Sequence, residues 1–363
     1  MKKRRKSRKS VKPPITIRDV AQLAKVSTAT VSRVFSGAAE VRKELSERVR
    51  RAAQALSYRP NPMARSLRTR TTRVIGVVVP DIENPFFTSV TGGLEEVLRG
   101  AGYSLLLANS GEDPERERRN VEALRGEAIA GLIFTPSGGD LSPYQAFAAA
   151  GVPLVAVSRA APGLDADTVT VTNREGARQA VEHLLSLGHR RIGMIGGPLS
   201  ISTAAERLRG YEQALARHGG VSPELVEYAG FRQAGGYAAM KKLLALPKPP
   251  TAVFTASNLM TLGALQAIHE AGLKIPAGIA VVGFDDMPWA VSLQPPLTVV
   301  AQPAFEVGVT AGRLLIERLK EPGLAARHVE LPARLIVRAS SGAAGKSRAR
   351  PPRRTQAEAV PCR

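Results

Sequence analysis

The chain has 363 residues, of which 44% are hydrophobic, a composition that excludes a disordered or fibrous polypeptide and suits packed cores in two or three domains. Its formal net charge of +20 is carried by the ends: residues 1–70 hold 20 Lys+Arg against 4 Asp+Glu, residues 341–363 hold 6 against 1, and the middle is left at −1. A basic end on a neutral body is the electrostatic footprint of a nucleic-acid binder, and the lone cysteine, Cys362, excludes an intrachain disulfide or a cysteine-built zinc finger.

Residues 1–14 form a Lys/Arg-rich arm without periodicity, read as disordered until it meets DNA. Residues 15–60 read as a helix-turn-helix domain. Thr16 is placed to cap a first helix with Ile17, Val20, Ala21 and Ala24 at helical spacing and Asp19 in its first turn. Lys25-Val26-Ser27 makes the turn, and Ser27 caps a second helix that buries Val31 and Val34 and turns Thr28, Ala29, Ser32 and Arg33 outward. An exposed helix with small residues at its start and an arginine one turn later suits the major groove. A third helix, from Arg42 or Lys43 to Ser57, packs Leu45, Val49, Ala52, Ala53 and Leu56 back on the first two. Tyr58-Arg59-Pro60 ends it.

Residues 61–72 read as a hinge and linker: Asn61 caps and Pro62 opens a short helix, Met63 to Leu67, too small to stand alone. From residue 73 to about 340, short apolar strands alternate with amphipathic helices. The strands are expected at Val74–Val79, Ser104–Ala108, Gly131–Thr135, Leu154–Val157, Val169–Thr172, Arg191–Ile195, Thr251–Thr255 and Ala280–Phe284. Helices are expected at Ser89–Arg99, Pro114–Leu124, Arg174–Leu187, Ala205–His218 and Leu259–Ala271. So many elements suggest two doubly wound α/β lobes, with a ligand crevice at the strand C-terminal ends. Residues 341–363 read as a disordered basic tail.

No apolar run reaches the roughly 18 residues that span a membrane, and the charged start leads into no apolar signal segment; a cytoplasmic, nucleoid-associated location is expected. The chain lacks a GxSxG elbow, a GxxxxGK loop and an HExxH helix, and Gly193-Met194-Ile195-Gly196-Gly197 is an incomplete dinucleotide loop. No enzyme, cofactor or metal site is expected. Asp81, Asn84, Phe86 and Phe87 follow the first strand and offer an aromatic wall with polar neighbours, suited to a sugar or purine ring.

TIRDVAQLAKVSTATVSRVFSG (16–37), LSYRPNPMARSLRT (56–69), VVVPDIENPFFTSV (77–90), HLLSLGHRRIGMIGGP (183–198), ERLRGYEQAL (206–215), VVGFDDMPWA (281–290) and PPLTVVAQP (295–303) stand in the order found in the LacI (lac repressor/GalR) family of bacterial transcription regulators, which the chain resembles to about residue 340. The resemblance implies an all-α headpiece and a two-lobed periplasmic-binding-protein-like core, each lobe a doubly wound parallel sheet. It places the first lobe at about 73–162 plus 290–321 and the second at about 163–289 plus 322–340. It also implies a homodimer on a near-palindromic operator, with a small effector between the lobes. Thr28, Ala29 and Arg33 match its base-facing positions, and Thr16, Ser27, Ser32 and Tyr58 suit phosphates. The hinge Asn61, Met63, Ala64 and Leu67 falls in the minor groove, with Leu67 as a wedge between base pairs. Arg207 matches the arginine that clamps the effector, with Thr203 close by in sequence, Phe231 matches an aromatic that covers it, and Asp285 lies in the matching string 281–290.

Two departures bear on the effector. Ser158 stands where many sugar-responsive members carry aspartate, and Ser257-Asn258 where they carry Asn-Asp. Loss of both aspartates beside Arg207 suits an anionic ligand, a sugar acid or sugar phosphate; the alternative is an ordinary sugar with fewer hydrogen bonds at Asn258. The tail lacks the heptads of the lac repressor's tetramerising helix, so a dimer is expected. The competing readings are a solute-binding protein of similar two-lobed fold and an enzyme on the same lobes. Replacing Arg33 with alanine is expected to relax specificity by about 1–3 kcal/mol at one base pair, while removal of arm lysines weakens all sequences alike; operator-variant binding curves measure both.

Overall fold

The computed structural model describes residues 15–36, 41–58 and 72–342. The arm 1–14, the hinge candidates Asn61, Met63, Ala64 and Leu67, and the tail from 343 lie outside the described residues. The chain divides into two units, residues 1–72 and 73–363.

In the first unit, α1 spans Ile17–Leu23, α2 Thr28–Ser36 and α3 Lys43–Ala55. The start of α1 is fixed by Asp19, whose carboxylate accepts from both the backbone N–H and the hydroxyl of Thr16 at 2.7 Å; these bonds hold its pKa below the ordinary value. Lys25, at φ 49, turns the chain out of α1, and Ser27 Oγ accepts from the Thr30 N–H at 3.1 Å to start α2. Val20, Val31 and Val49, one from each helix, are fully buried; each contributes about 1.5–3 kcal/mol by leaving water. Arg48 on α3 donates to the Ala24 carbonyl at 2.6 Å, satisfying the end of α1.

The second unit holds two six-stranded sheets. The first contains β1 (Val74–Val79), β2 (Ser104–Asn109), β3 (Gly131–Phe134), β4 (Leu154–Val157), β5 (Asp167–Val171) and β11 (His328–Leu331), in the order β11-β5-β4-β3-β1-β2, all parallel. The second contains β6 (Ile192–Gly196), β7 (Val226–Tyr228), β8 (Ala252–Thr255), β9 (Ala280–Phe284), β10 (Thr298–Ala301) and β12 (Arg334–Ile336), in the order β12-β10-β9-β8-β6-β7. Only the β10–β12 pair is antiparallel, with Val299 opposite Ile336. Buried central strands read as unbroken apolar runs, as VIGVVV in β1 and AVVGF in β9 do.

The helices are α4 (Pro85–Gly100), α5 (Pro114–Gly126), α6 (Ser142–Ala149), α7 (Asn173–Ser186), α8 (Ser202–Leu215), α9 (Gln233–Ala245), α10 (Asn258–Glu270) and α11 (Ala304–Lys320). The chain passes between lobes at 172–173, 302–303 and 332–333. These crossings correct the lobe limits expected from the family. Strand β5 extends the first lobe to 171 because Val155 to Val157 pair with Asp167 to Val169. Strand β10 keeps 298–301 in the second lobe because Thr298 pairs with Val282, so of residues 290–321 it is α11 that returns, to pack on α4. Strand β11 belongs to the first sheet through Val329 and Val169. The tail starts later than 341: Ser341 is buried and hydrogen-bonded to His183 and Thr298.

Helices α4 and α11 meet backbone to backbone. A Cβ on Gly308 would lie 2.0 Å from the Val90 carbonyl oxygen, and one on Gly93 2.1 Å from that of Phe305, so neither position admits a side chain. The Gly308→Ala protein is expected to lose about 1–3 kcal/mol or more through this overpacking, read as a lowered urea midpoint against the wild-type chain.

Candidate functional site

The described DNA-side candidates lie on α2 and its neighbours. Thr28, Ala29 and Arg33 are exposed on the face opposite Val31 and Val34, and Ser32 is half-buried. Thr16 and Ser27 are engaged as helix caps. The Tyr58 ring packs edge-on against Phe35 at 6.1 Å, and burial raises its hydroxyl pKa. This face is apolar inside and small, polar and cationic outside, the form a groove-reading helix needs.

In the second unit, loops from the strand C-terminal ends of both lobes converge on a cavity of about 40 Å³. Eight of the ten effector candidates line it: Asn84, Phe86 and Phe87 at the start of α4, Ser158 after β4, Thr203 and Arg207 on α8, Phe231 before α9, and Asp285 after β9. The Phe86 and Phe87 rings pack edge to face at 5.0 Å. Phe231 lies on the backbone of Gly197, where a Cβ would meet its ring at 2.3 Å. The cavity opens toward two larger grooves of about 480 and 490 Å³; it shares Ser158 and Thr203 with one and Phe86, Asp285 and Gln302 with the other.

Asp81 and Asn258 are placed differently. Asp81 accepts from the Glu83 N–H at 2.9 Å, bending its own loop, and does not line the cavity. Asn258 is buried beside the cavity and joins the lobes: its Nδ2 donates to Asn84 Oδ1 at 2.8 Å, the oxygen that also accepts from the Phe86 N–H to cap α4. Two further bonds hold the lobes together, Ala160 N–H to Ser202 Oγ at 3.1 Å and Arg232 Nη2 to the Gly111 carbonyl at 2.5 Å.

Four charged side chains border the cavity. Arg207 is buried, donates to Asn173 Oδ1 at 2.8 Å and to the Ala256 carbonyl at 2.5 Å, and lies 3.7 Å from the Phe284 ring centroid. Among the described residues no carboxylate comes within 4.0 Å of it, and desolvation pulls its pKa down to about 10. Burial raises the Asp285 carboxyl above the ordinary range, opposed by Arg207, the Gln302 amide and the Asn258 N–H. Arg159 is bidentate to Glu112, at 2.6 and 2.9 Å, and its guanidinium lies 5.7 Å from the Phe231 centroid in the other lobe. The two aspartates absent at 158 and 258 therefore leave no cleft of positive charge alone, because Glu112 and Asp285 stand beside the two arginines.

Backbone strain marks the same place. Of the seven described non-glycine residues at positive φ, four line the cavity: Glu112 (58°), Ser158 (67°), Phe231 (54°) and Asp285 (78°). Each costs on the order of 1–3 kcal/mol, and such residues collect where a ligand must be met by fixed groups. Glu112, Arg159 and Gln302 escaped the sequence reading. Each follows a strand end, β2, β4 and β10, the position where α/β sheets place ligand groups; for the first two that position was the available signal, and β10 itself was not foreseen.

Residues 16–61 match the family model of bacterial regulatory proteins, lacI family, and residues 181–341 match a periplasmic binding protein-like domain. The HTH-type transcriptional repressor CytR of Escherichia coli (strain K12) is 36% identical over 332 residues, 90% of this chain and 96% of that protein. The chain belongs to the LacI family. The ribose operon repressor of Haemophilus influenzae is 37% identical over 328 residues, 90% of this chain and 98% of its own. The crystal structure of the lac repressor dimer bound to operator and the anti-inducer ONPF superposes with a TM-score of 0.80 at 29% identity, covering 91% of this chain and 100% of that one. This LacI-family chain is a DNA-binding transcriptional regulator, and its matched relatives are repressors, not enzymes.

A carboxyl held above its unfolded pKa stabilises the fold in acid, and that contribution is lost as pH rises through the folded value. Asp285→Asn, whose side chain tolerates positive φ, is therefore expected to exceed wild type in urea midpoint at neutral pH. The difference should vanish as the solution is acidified.

Proposed function

We propose that this regulator is a repressor that binds a near-palindromic operator as a homodimer and answers to a neutral, pentose-sized sugar held between the lobes. The observation that carries the reading is the cavity itself: a buried Arg207 without a contacting carboxylate, walls of Phe86, Phe87 and Phe231, and polar groups from both lobes on strained backbone. A guanidinium that donates to hydroxyl oxygens between aromatic walls is the ordinary chemistry of sugar recognition. The near balance of carboxylates and guanidiniums favours an uncharged ligand over the sugar acid or sugar phosphate. The similarity to ribose operon repressors supports a pentose.

At about 40 Å³ the cavity holds a few waters and less than a sugar ring. Binding then requires the lobes to part, breaking the Asn258–Asn84 bond, and to close again on the ligand. Linkage demands that the sugar favour one lobe arrangement over the other; hinge residues 61–67, with Leu67 as the minor-groove wedge, carry the change to DNA in this reading. Edge strand β2 exposes Leu106 and Leu107, an apolar strip suited to a second copy of the chain. No helix among the described residues is long and apolar enough to cross a membrane, and we place the protein with DNA in the cytoplasm.

The test is selection of random duplexes by the purified protein near physiological salt, with and without D-ribose. A palindrome whose recovery changes with the sugar is expected. Salt-sensitive, sequence-blind binding under both conditions overturns the reading.

A further inference from the structure

The loop after β2 is built with unusual effort. Gly111 and Glu112 both have positive φ. The Glu112 N–H donates to the Pro80 carbonyl at 3.1 Å, Ser110 and Ser137 share a buried hydroxyl bond at 3.1 Å, and the Gly111 carbonyl accepts from Arg232 of the other lobe. The outcome of this fixation is one carboxylate at the cavity rim, bidentate to Arg159, whose side chain is 5% exposed against 14% for Glu112. Arg159 also donates to the Pro136 carbonyl at 2.9 Å, so its guanidinium is held from behind. A pair that only braced the loop had no need to face the ligand cavity; here both partners border it together with Arg207.

We propose that Glu112 is the residue that sets effector charge: by occupying Arg159 it keeps a cavity with two guanidiniums from acting as an anion receptor, and thereby selects uncharged sugars over their acids and phosphates. The inference rests on the sugar-cleft reading above. With Glu112 ionised, an incoming phosphate or carboxylate meets a fixed like charge and finds one of the two arginines already bonded. With Glu112 neutralised, Arg159 keeps its bond to Pro136 and Arg207 its bonds to Asn173 and Ala256, but their remaining donors face a small, desolvated space with Asp285 as the one carboxylate left in its lining, an arrangement closer to one that holds oxyanions. Specificity of this kind comes from a repulsive element as much as from an attractive one.

The experiment titrates the full-length protein, as wild type and as Glu112→Gln, with D-ribose, D-ribose 5-phosphate and inorganic phosphate, followed by calorimetry and thermal shift. Differences between variant and wild type remove the phosphate affinity that the basic ends give both. The expected result is a loss of ribose affinity by about tenfold and a gain for ribose 5-phosphate and inorganic phosphate by about tenfold or more. The gain should disappear in Glu112→Gln/Arg207→Ala. The charge-free pair Glu112→Gln/Arg159→Met, which leaves Arg207 as the one guanidinium in the lining, should fold normally and show no gain. Equal losses for every ligand, or an unchanged ratio in Glu112→Gln, overturn the proposal. If wild type ignores ribose while Glu112→Gln still gains phosphate, the pentose reading fails and the role of Glu112 stands.

Discussion

A buried guanidinium organises the second unit. Removing an ion such as Arg207 from water costs several kcal/mol after relaxation; among the described residues no carboxylate lies within 4.0 Å of it, and Asp285 offsets part of that cost from further away. The fold answers with hydrogen bonds and a π face from separate places: Asn173 at the first crossing between lobes, the Ala256 carbonyl after β8, and the Phe284 ring at the end of β9. One side chain thus ties the crossing to two central strand ends. Arg207 also lines the cavity on which loops of both lobes converge.

The same economy appears in the backbone. Strain at Glu112, Ser158, Phe231 and Asp285 is gathered around the cavity, while the helices behind it are packed as closely as chains allow. The α4–α11 contact depends on Gly93 and Gly308, and the α9–α10 contact on Gly263, whose Cβ would fall 2.0 Å from the Gln233 carbonyl. Dense, stiff lobes let a few strained residues persist. Interlobe hydrogen bonds join Asn84 with Asn258, Ala160 with Ser202 and Gly111 with Arg232, while Met287 of the second lobe packs into the apolar core of the first.

Legibility followed the range of the interactions. Helices α1 and α2 are encoded by caps and spacing within four residues and α3 by spacing, and Thr16, Asp19, Ser27 and Val31 could be read directly. Central strands announce themselves as apolar runs. Strands β7, β10, β11 and β12 are three or four residues long with little pattern of their own, and their pairing joins residues as far apart as Val169 and Val329; this is why the lobe limits were misplaced. Arg159 and Glu112 lie 47 residues apart, and nothing local links them. Asp81 and Asn258 show a finer limit: a polar side chain at a strand end can turn toward a ligand, its own loop or the opposite lobe, and only packing decides which.

The central claim is that occupation of the cleft at Arg207 governs operator binding. It is tested most directly by operator affinity at fixed salt, with and without saturating D-ribose, for wild type and Arg207→Met. The sugar is expected to shift the wild-type operator Kd by about fivefold or more, while the variant binds operator as the sugar-free wild type does and no longer responds. An equal response in both proteins, or none in wild type, would contradict it.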